Sequence, residues 1–433
     1  MMAPTPPRSL DDVGIPTDSL AELILKTLHQ RGSLAGFELA HRLELPYQVI
    51  DDLVGHLREH RWIEVKSSAG GGPAGYRLAL SQGGAERARS AMARTPYTGP
   101  APVSLDELSA RIRSQSVEGM RATRESVREA FADLVLPDEA VRSLGPALTS
   151  GRSFFIFGPP GNGKTAVATR LGGILGEPIY LPHAVEVDGE VITIYDPALH
   201  RRVEQEDDGA AADGAFSHDR RFVRVERPVL IAGGELQLED LDLRFDPIGR
   251  VYRAPLQLKA MGGALVLDDF GRQRAAPAEI LSRWILPLEY QVDYLTLHTG
   301  FKFQLPFDCL LVFASNGAPE EIGEEAFMRR IQYKVHLPDP SRDAYAEIFS
   351  REVARVGFAC ELPAVDWLYA TWYDGRGITP RACHPRDLLR LVRDYARYEG
   401  REPRVSNDTL SFACGAYFAG REGTRGNGRE GRA

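Results

Sequence analysis

Gly158-Pro159-Pro160-Gly161-Asn162-Gly163-Lys164-Thr165 has the spacing GxxxxGK[ST] and follows directly on the apolar run Phe154-Phe155-Ile156-Phe157. Ala166 opens a stretch of helical periodicity behind it. Strand, glycine-rich turn and helix in this order suit one chemistry. The glycines let successive backbone N–H groups curl around a polyphosphate, and the helix start adds partial positive charge. Lys164 would then reach the β- and γ-phosphates, and the Thr165 hydroxyl would ligate Mg²⁺. Residues 158–166 are therefore the candidate ATP-binding segment.

A metal-bound nucleotide also needs an acid at the end of a neighbouring strand. Ala264-Leu265-Val266-Leu267-Asp268-Asp269 supplies two. Asp268 is the expected second Mg²⁺ ligand beside Thr165. Asp269 is the expected group that orients or deprotonates the attacking water. An acidic turn after a strand is common in isolation, but beside a P-loop the catalytic reading outweighs it.

With both motifs in place, the chain resembles the AAA+ family of P-loop ATPases over about residues 131–419. The segment Leu311-Val312-Phe313-Ala314-Ser315-Asn316 resembles the family's sensor-1 strand, which implies that Asn316 helps hold the catalytic water. Phe327-Met328-Arg329-Arg330-Ile331 is similar to the segment that carries arginine fingers. The resemblance implies that Arg329 or Arg330 reaches the γ-phosphate of a neighbouring subunit, and leaves open which. His384-Pro385-Arg386-Asp387-Leu388-Leu389 resembles sensor 2, with Arg386 as the lid residue that contacts nucleotide. The stretch Ala260-Met261-Gly262-Gly263 is loosely similar to MoxR-type members, which are chaperone-like remodellers. A finger supplied in trans implies a homo-oligomeric ring, by resemblance a hexamer.

One residue departs from the family pattern. The acidic strand ends Asp268-Asp269, where active members usually have Asp-Glu. Asp is one methylene shorter, and a displacement of about 1 Å at a reacting centre costs on the order of a hundredfold in rate. Slow turnover is the expectation, with nucleotide binding untouched.

The elements that must position these residues follow from composition. Residues 1–17 read as a disordered leader, 18–94 as a winged helix (three helices and a two-stranded hairpin), and the Pro-rich 95–118 as a linker. Residues 119–340 alternate apolar strands with helices, the pattern of an α/β core whose parallel sheet is covered on both faces. Its strands are expected at 154–157, 179–181, 264–267, 310–314 and 333–337. A β-hairpin-rich insertion occupies about 183–262, with an acidic loop at 204–218. Residues 341–419 read as a C-terminal helical lid and 420–433 as a disordered tail.

The 433 residues allow two or three domains, and no apolar run is long enough for a membrane span. Cys309, Cys360, Cys383 and Cys414 show no CxxC spacing, which suits a reducing cytoplasm better than a disulfide framework. There is no HExxH, which excludes a zinc-protease member; His183, His298 and His336 are isolated and read as structural. A net charge of −8 gives no global field for nucleic acid. The third helix of the winged unit carries Asp51, Asp52 and Glu59 against Arg58, and its hairpin offers only Lys66 and Arg77. A protein client or adaptor is favoured there over DNA. Tyr252, in the turn 247–252, is a weaker candidate for a pore residue gripping polypeptide.

Three functions are left in play. The leading one is an oligomeric Mg-ATP hydrolase that remodels a protein client. The second is a DNA-associated loader or initiator, and the third a slowly hydrolysing, nucleotide-gated scaffold.

Overall fold

Five short strands build the central sheet, and the interior three are apolar at odd and even positions alike, as burial on both faces requires. The five are β1 (Phe154–Phe157), β2 (Val229–Ala232), β3 (Gly263–Leu267), β4 (Cys309–Ser315) and β5 (Tyr333–His336). In the computed structural model, which describes residues 2–68, 72–118, 122–204, 216–322 and 325–420, they pair in parallel in the order β2-β3-β4-β1-β5. Phe154, Ile156, Val266 and Val312 pack on one face with Val167 of helix α1 (Lys164–Thr169) and with Leu144 and Leu148. Phe155, Leu265, Leu311 and Phe313 pack on the other against Ile280, Leu281 and Trp284 of α2 (Pro277–Tyr290). Burying each large side chain stabilises by roughly 1.5–3 kcal/mol, which fixes the register of the whole layer.

The sheet corrects one expected strand. Ile179–Pro182 lies outside it, paired antiparallel with Phe222–Val225. The edge position belongs to β2, which sequence had placed within the insertion. Both runs are short and apolar, so periodicity alone cannot rank them. The insertion is thus split by a core strand rather than continuous from 183 to 262.

The rest of the insertion joins segments from elsewhere in a second, β-rich body. A five-stranded sheet runs Arg244–Asp246, Val251–Arg253, Glu190–Thr193, Ala184–Val187, Val103–Ser104. Asp188 (φ 52°) and Gly189 (φ 78°) make the two-residue turn between its central pair, where both positions need left-handed backbone. The antiparallel hairpin Val292–Thr296 and Lys302–Pro306, not anticipated from sequence, contributes Leu295, Leu297, Phe303 and Leu305 to the same core. Tyr252 sits in that core at 1% exposure, with its hydroxyl bonded to His298. Its expected place in a pore is therefore overturned: the strand alternation points Tyr252 inward.

Two segments expected to be loose are built in. Pro4 and Val13 of the leader are buried; the Asp219 N–H donates to the Pro4 carbonyl at 2.8 Å, and Arg221 donates to the Val13 carbonyl at 2.9 Å. In the supposed linker, Val103–Ser104 is a sheet strand, and the helix Leu105–Ser114 buries Leu108 and Ile112. Proline-rich composition signalled flexibility, but proline also suits extended backbone at a sheet edge. Arg221, 1% exposed, ties these pieces together through Asp219 and Glu107.

The N-terminal region has helices Thr17–Arg31, Gly36–Leu43, Tyr47–Glu59 and Gln82–Arg94. A three-stranded antiparallel sheet, Ser33–Ala35, Tyr76–Leu80 and Ile63–Ser68 in that order, packs with them. The C-terminal region holds α3 (Arg342–Val356), Ala364–Leu368, a π-helical stretch Tyr369–Tyr373, α4 (His384–Tyr398) and α5 (Asn407–Tyr417). The central part of the expected acidic loop (205–215) and the tail from 421 onward lie outside the described residues. Among the described residues no helix is long and apolar enough to cross a membrane.

Candidate functional site

The candidate residues leave the carboxyl ends of adjacent parallel strands, where ligands of open α/β sheets are held. After β1, Gly158 takes φ 145°, and a Cβ there would stand 2.1 Å from the Leu337 carbonyl oxygen. Only glycine fits between the two strands. Gly161 (φ 85°) and Gly163 (φ 88°) complete the loop in backbone conformations that other residues enter at a cost. Lys164 then turns back under it: Nζ donates to the carbonyls of Gly158 at 2.8 Å and Pro159 at 3.0 Å. Burial lowers the Lys164 pKa, Asp269 and Asp268 oppose that shift, and the nearby Arg381 adds to it.

Thr165 and Asp268 are brought together. The Thr165 hydroxyl donates to Asp268 Oδ2 at 2.7 Å. A hydroxyl and a carboxylate side by side are the hard-oxygen donor set that Mg²⁺ takes from protein, with remaining positions left to water and phosphate. The residues present thus fit the metal expected from the sequence. Gln273 donates to the Asp268 carbonyl at 2.8 Å and holds the turn that presents the carboxylate.

Asp269 and Asn316 are also paired, Nδ2 to Oδ1 at 2.9 Å. Asp269 adopts φ 50°, a left-handed conformation that Asp tolerates better than most residues. The next N–H, of Phe270, donates to the Ala314 carbonyl at 2.7 Å, clamping the end of β3 to β4. The exposed Asp269 carboxylate is therefore held next to Asp268 by the strand pairing itself.

The two adjacent arginines part company. Arg330 is held by Glu289, its Nε donating to Oε2 at 3.0 Å, with 17% of its side chain exposed. Arg329 is exposed and, among the described residues, makes no side-chain hydrogen bond or ion pair. Both line a cavity of about 690 Å³ together with Arg152, Ser153, Tyr290 and Cys309. Ser153 and Cys309 stand at the amino ends of β1 and β4, so this cavity opens at the end of the sheet opposite the P-loop.

Among the described residues, Arg386 makes no hydrogen bond or ion pair to the P-loop. It is exposed, and its Nε donates to Asp387 at 3.0 Å, on the solvent side of α4. The arginine of the C-terminal region that lies beside the loop is Arg381, ion-paired with Asp339. Asp339 also accepts from Asn162 Nδ2 at 2.7 Å, and Asn162 Oδ1 accepts from the Ala382 N–H at 3.2 Å. A Cβ on Gly161 would lie 2.5 Å from Cys383 Sγ, so the segment before α4 rests directly on the loop. Sequence reading missed Arg381 and Asp339 because both lie just outside regular elements. The available signal was an Asp two residues after Leu337 and a polar Asn among the P-loop glycines.

In the N-terminal region, Lys66 pairs with Glu64 at 2.5 Å and Arg77 donates to Ser33 at 3.2 Å. Glu44, in the turn before the acidic helix Tyr47–Glu59, pairs with Arg220 of the β-rich body at 2.9 Å.

A sequence-family profile described as a domain of unknown function (DUF8689) matches residues 341–416, the C-terminal helical region. No curated protein matches the chain by sequence. Among solved structures, the chain is similar to NtrX from Brucella abortus at 12% identity and a TM-score of 0.38, covering 75% of this chain and 59% of that one. It thus spans less than two thirds of that NtrX chain. It is also similar to a point mutant of RuvB from Thermotoga maritima at 15% identity and a TM-score of 0.37, covering 70% of this chain and 72% of that one. The Thermotoga maritima RuvB Holliday junction branch migration motor follows at 16% identity and a TM-score of 0.36, with 65% and 70% covered. The α/β fold itself is read from the chain's own parallel sheet and the loop at the end of β1.

Proposed function

We propose that the chain is an AAA+ ATPase that binds and hydrolyses Mg-ATP in a homo-oligomer and uses the cycle to remodel a protein client. The observation that carries this reading is the double pairing at the carboxyl end of the sheet, Thr165 with Asp268 at 2.7 Å and Asn316 with Asp269 at 2.9 Å. Residues from three strands converge there beside the P-loop lysine. Bound Mg²⁺ would supply charge neutralisation on the β- and γ-phosphates, held by Thr165 and Asp268. Lys164 binds phosphate oxygens, Asn316 and Asp269 orient the attacking water, and Asp269 accepts its proton.

The exposed Arg329 supports completion of the site by a neighbouring subunit. It lies at the end of the sheet opposite its own P-loop, where it cannot serve that loop but can serve another's. Arg330, bound to Glu289, takes a structural role in this reading. Arg381 takes the lid role assigned from sequence to Arg386. The winged-helix unit reads as a protein-docking module: its third helix is acidic, and the turn before it is engaged by Arg220. A cytoplasmic location is part of the same reading, on the scattered spacing of the four cysteines in the sequence.

The test is Mg-ATP hydrolysis by the full chain across protein concentration, with Lys164→Ala as blank. Specific activity that rises with concentration and vanishes in the blank supports the reading. Nucleotide binding with no turnover at any concentration, and none on adding unfolded protein, would favour the nucleotide-gated scaffold, for which the short Asp269 side chain is the motivating feature. Stimulation by DNA alone would favour the loader reading.

A further inference from the structure

Asp339 holds two partners that belong to different parts of the molecule. One is Asn162, inside the P-loop, at 2.7 Å. The other is Arg381, on the segment leading into α4, in an ion pair that leaves 25% of the arginine side chain exposed. Asp339 itself follows β5, on the connection between the sheet and the C-terminal helices. A carboxylate at such a junction competes with a second anion delivered to the loop for the Arg381 Nη1 donor that it occupies.

The backbone of Arg381 is fixed from the other side. Its N–H donates to His384 Nδ1 at 3.2 Å, and Tyr373 OH meets the same nitrogen at 3.1 Å. Tyr373 and Tyr345 share a hydroxyl–hydroxyl hydrogen bond of 2.6 Å. His384 is 1% exposed and Tyr345 fully buried, so this relay is part of the helical core. Tyr373 ends the π-helical stretch Tyr369–Tyr373, an irregularity that re-aims a side chain within a helix. The relay holds the Arg381 backbone still, so that its side chain is what can change partner.

We propose that Asp339 is a gating counter-ion: Arg381 exchanges Asp339 for the γ-phosphate of bound ATP, and Asp339 thereby sets the preference of the site for ATP over ADP. The proposal rests on the ATP-binding reading above. ADP lacks the anion that Arg381 would gain, so ADP leaves the Asp339–Arg381 pair in place. ATP must break the pair, and part of its binding free energy is spent there. Removing the carboxylate's charge frees Arg381 and tightens ATP selectively. The lid segment is thereby coupled to the γ-phosphate, and His384 is a positioning residue that keeps the coupling stiff.

The experiment titrates the full-length protein with methylanthraniloyl-labelled ADP and with the labelled non-hydrolysable ATP analogue AMPPNP, in Mg²⁺. Asp339→Asn should raise AMPPNP affinity about fivefold or more and shift ADP affinity less than about twofold, the lower range of coupling between two linked contacts. Arg381→Ala should remove the ATP preference, and adding Asp339→Asn to it should change nothing further, since the two act through one contact. His384→Gln, which can still accept the Arg381 N–H, should keep more of the preference than His384→Ala. Equal weakening of both nucleotides by Asp339→Asn would overturn the proposal and leave Asp339 a mere support of Asn162. So would an unchanged ratio, or an effect of Asp339→Asn that persists without Arg381. Failure of the wild-type protein to bind either labelled nucleotide would instead refute the underlying ATP-binding reading.

Discussion

The Thr165 hydroxyl donates to Asp268 Oδ2 at 2.7 Å across 103 residues of chain. One residue opens the helix after β1 and the other ends β3, and β4 lies between their strands in the sheet. The contact therefore depends on the sheet order, and its chemistry is testable by separating metal binding from nucleotide binding. Asp268→Asn should weaken Mg²⁺-dependent nucleotide binding by about 10- to 100-fold while leaving metal-free binding little changed. Labelled-nucleotide titrations with Mg²⁺ and with EDTA make the comparison. Equal losses in both would mean that Asp268 supports the loop rather than the metal.

Arg329 and Arg330 should separate in function. Arg329→Ala is expected to lower kcat on the order of 10³-fold at unchanged nucleotide affinity, as for arginines supplied to a γ-phosphate in trans. Arg330→Ala breaks a partly exposed pair with Glu289 and should cost at most about 1 kcal/mol of stability. Mixing Arg329→Ala with Lys164→Ala protein should restore activity, since each supplies the half-site that the other lacks. No recovery in mixed samples would argue against a shared site.

Asp269 carries the expectation of slow turnover. Asp269→Glu lengthens the carboxylate by one methylene toward the water position and should raise kcat by about tenfold or more, given the steep dependence of rate on about 1 Å of placement. The pairing with Asn316 makes the same substitution sensitive to Asn316→Ala, which should abolish the gain. A glutamate that slows hydrolysis would show that the site is already built around the shorter acid.

Lys26 is 4% exposed in the N-terminal region, its ammonium donating to the Thr95 carbonyl at 3.2 Å. Burial pushes its pKa down from 10.5 to about 8, with Glu22 opposing. A lysine whose folded pKa lies below its unfolded value costs stability in full below about pH 8, and that cost fades as pH rises toward 10.5. Lys26→Met should therefore stabilise the protein at pH 7 by about 1–2 kcal/mol, net of the lost hydrogen bond. The gain should shrink at pH 9.5, as urea unfolding at the two pH values can check. A pH-independent change would point to packing alone.

Local patterns were legible without coordinates where chemistry is contiguous. The P-loop, the Asp268-Asp269 strand end and Asn316 each lie within a few residues of an apolar strand, so backbone direction alone aims them at one edge. The alternation of both-sided apolar strands with helices likewise determined the α/β class. Periodicity could not decide between Ile179–Pro182 and Val229–Ala232 as the edge strand. Pairing partners are chosen by long-range packing, and two short apolar runs look alike until one is seen beside β3.

The sequence by itself therefore determined the GxxxxGK[ST] loop, the acidic strand end and the layer that bears them, because those depend on residues close in the chain. Only the tertiary structure brought Arg381 and Asp339 against the loop. Arg386 satisfied the pattern, and in the structure it pairs with its neighbour Asp387. Arg381 precedes the helix, where no periodicity applies, and reaches Asp339 beside Asn162 because the segment before α4 rests on the loop. The same holds for Tyr252, the leader and the linker. Tyr252, Val103 and Leu108 are buried in the β-rich core and Val13 and Ala101 in the N-terminal core, and a partner supplied from far along the chain leaves no local mark.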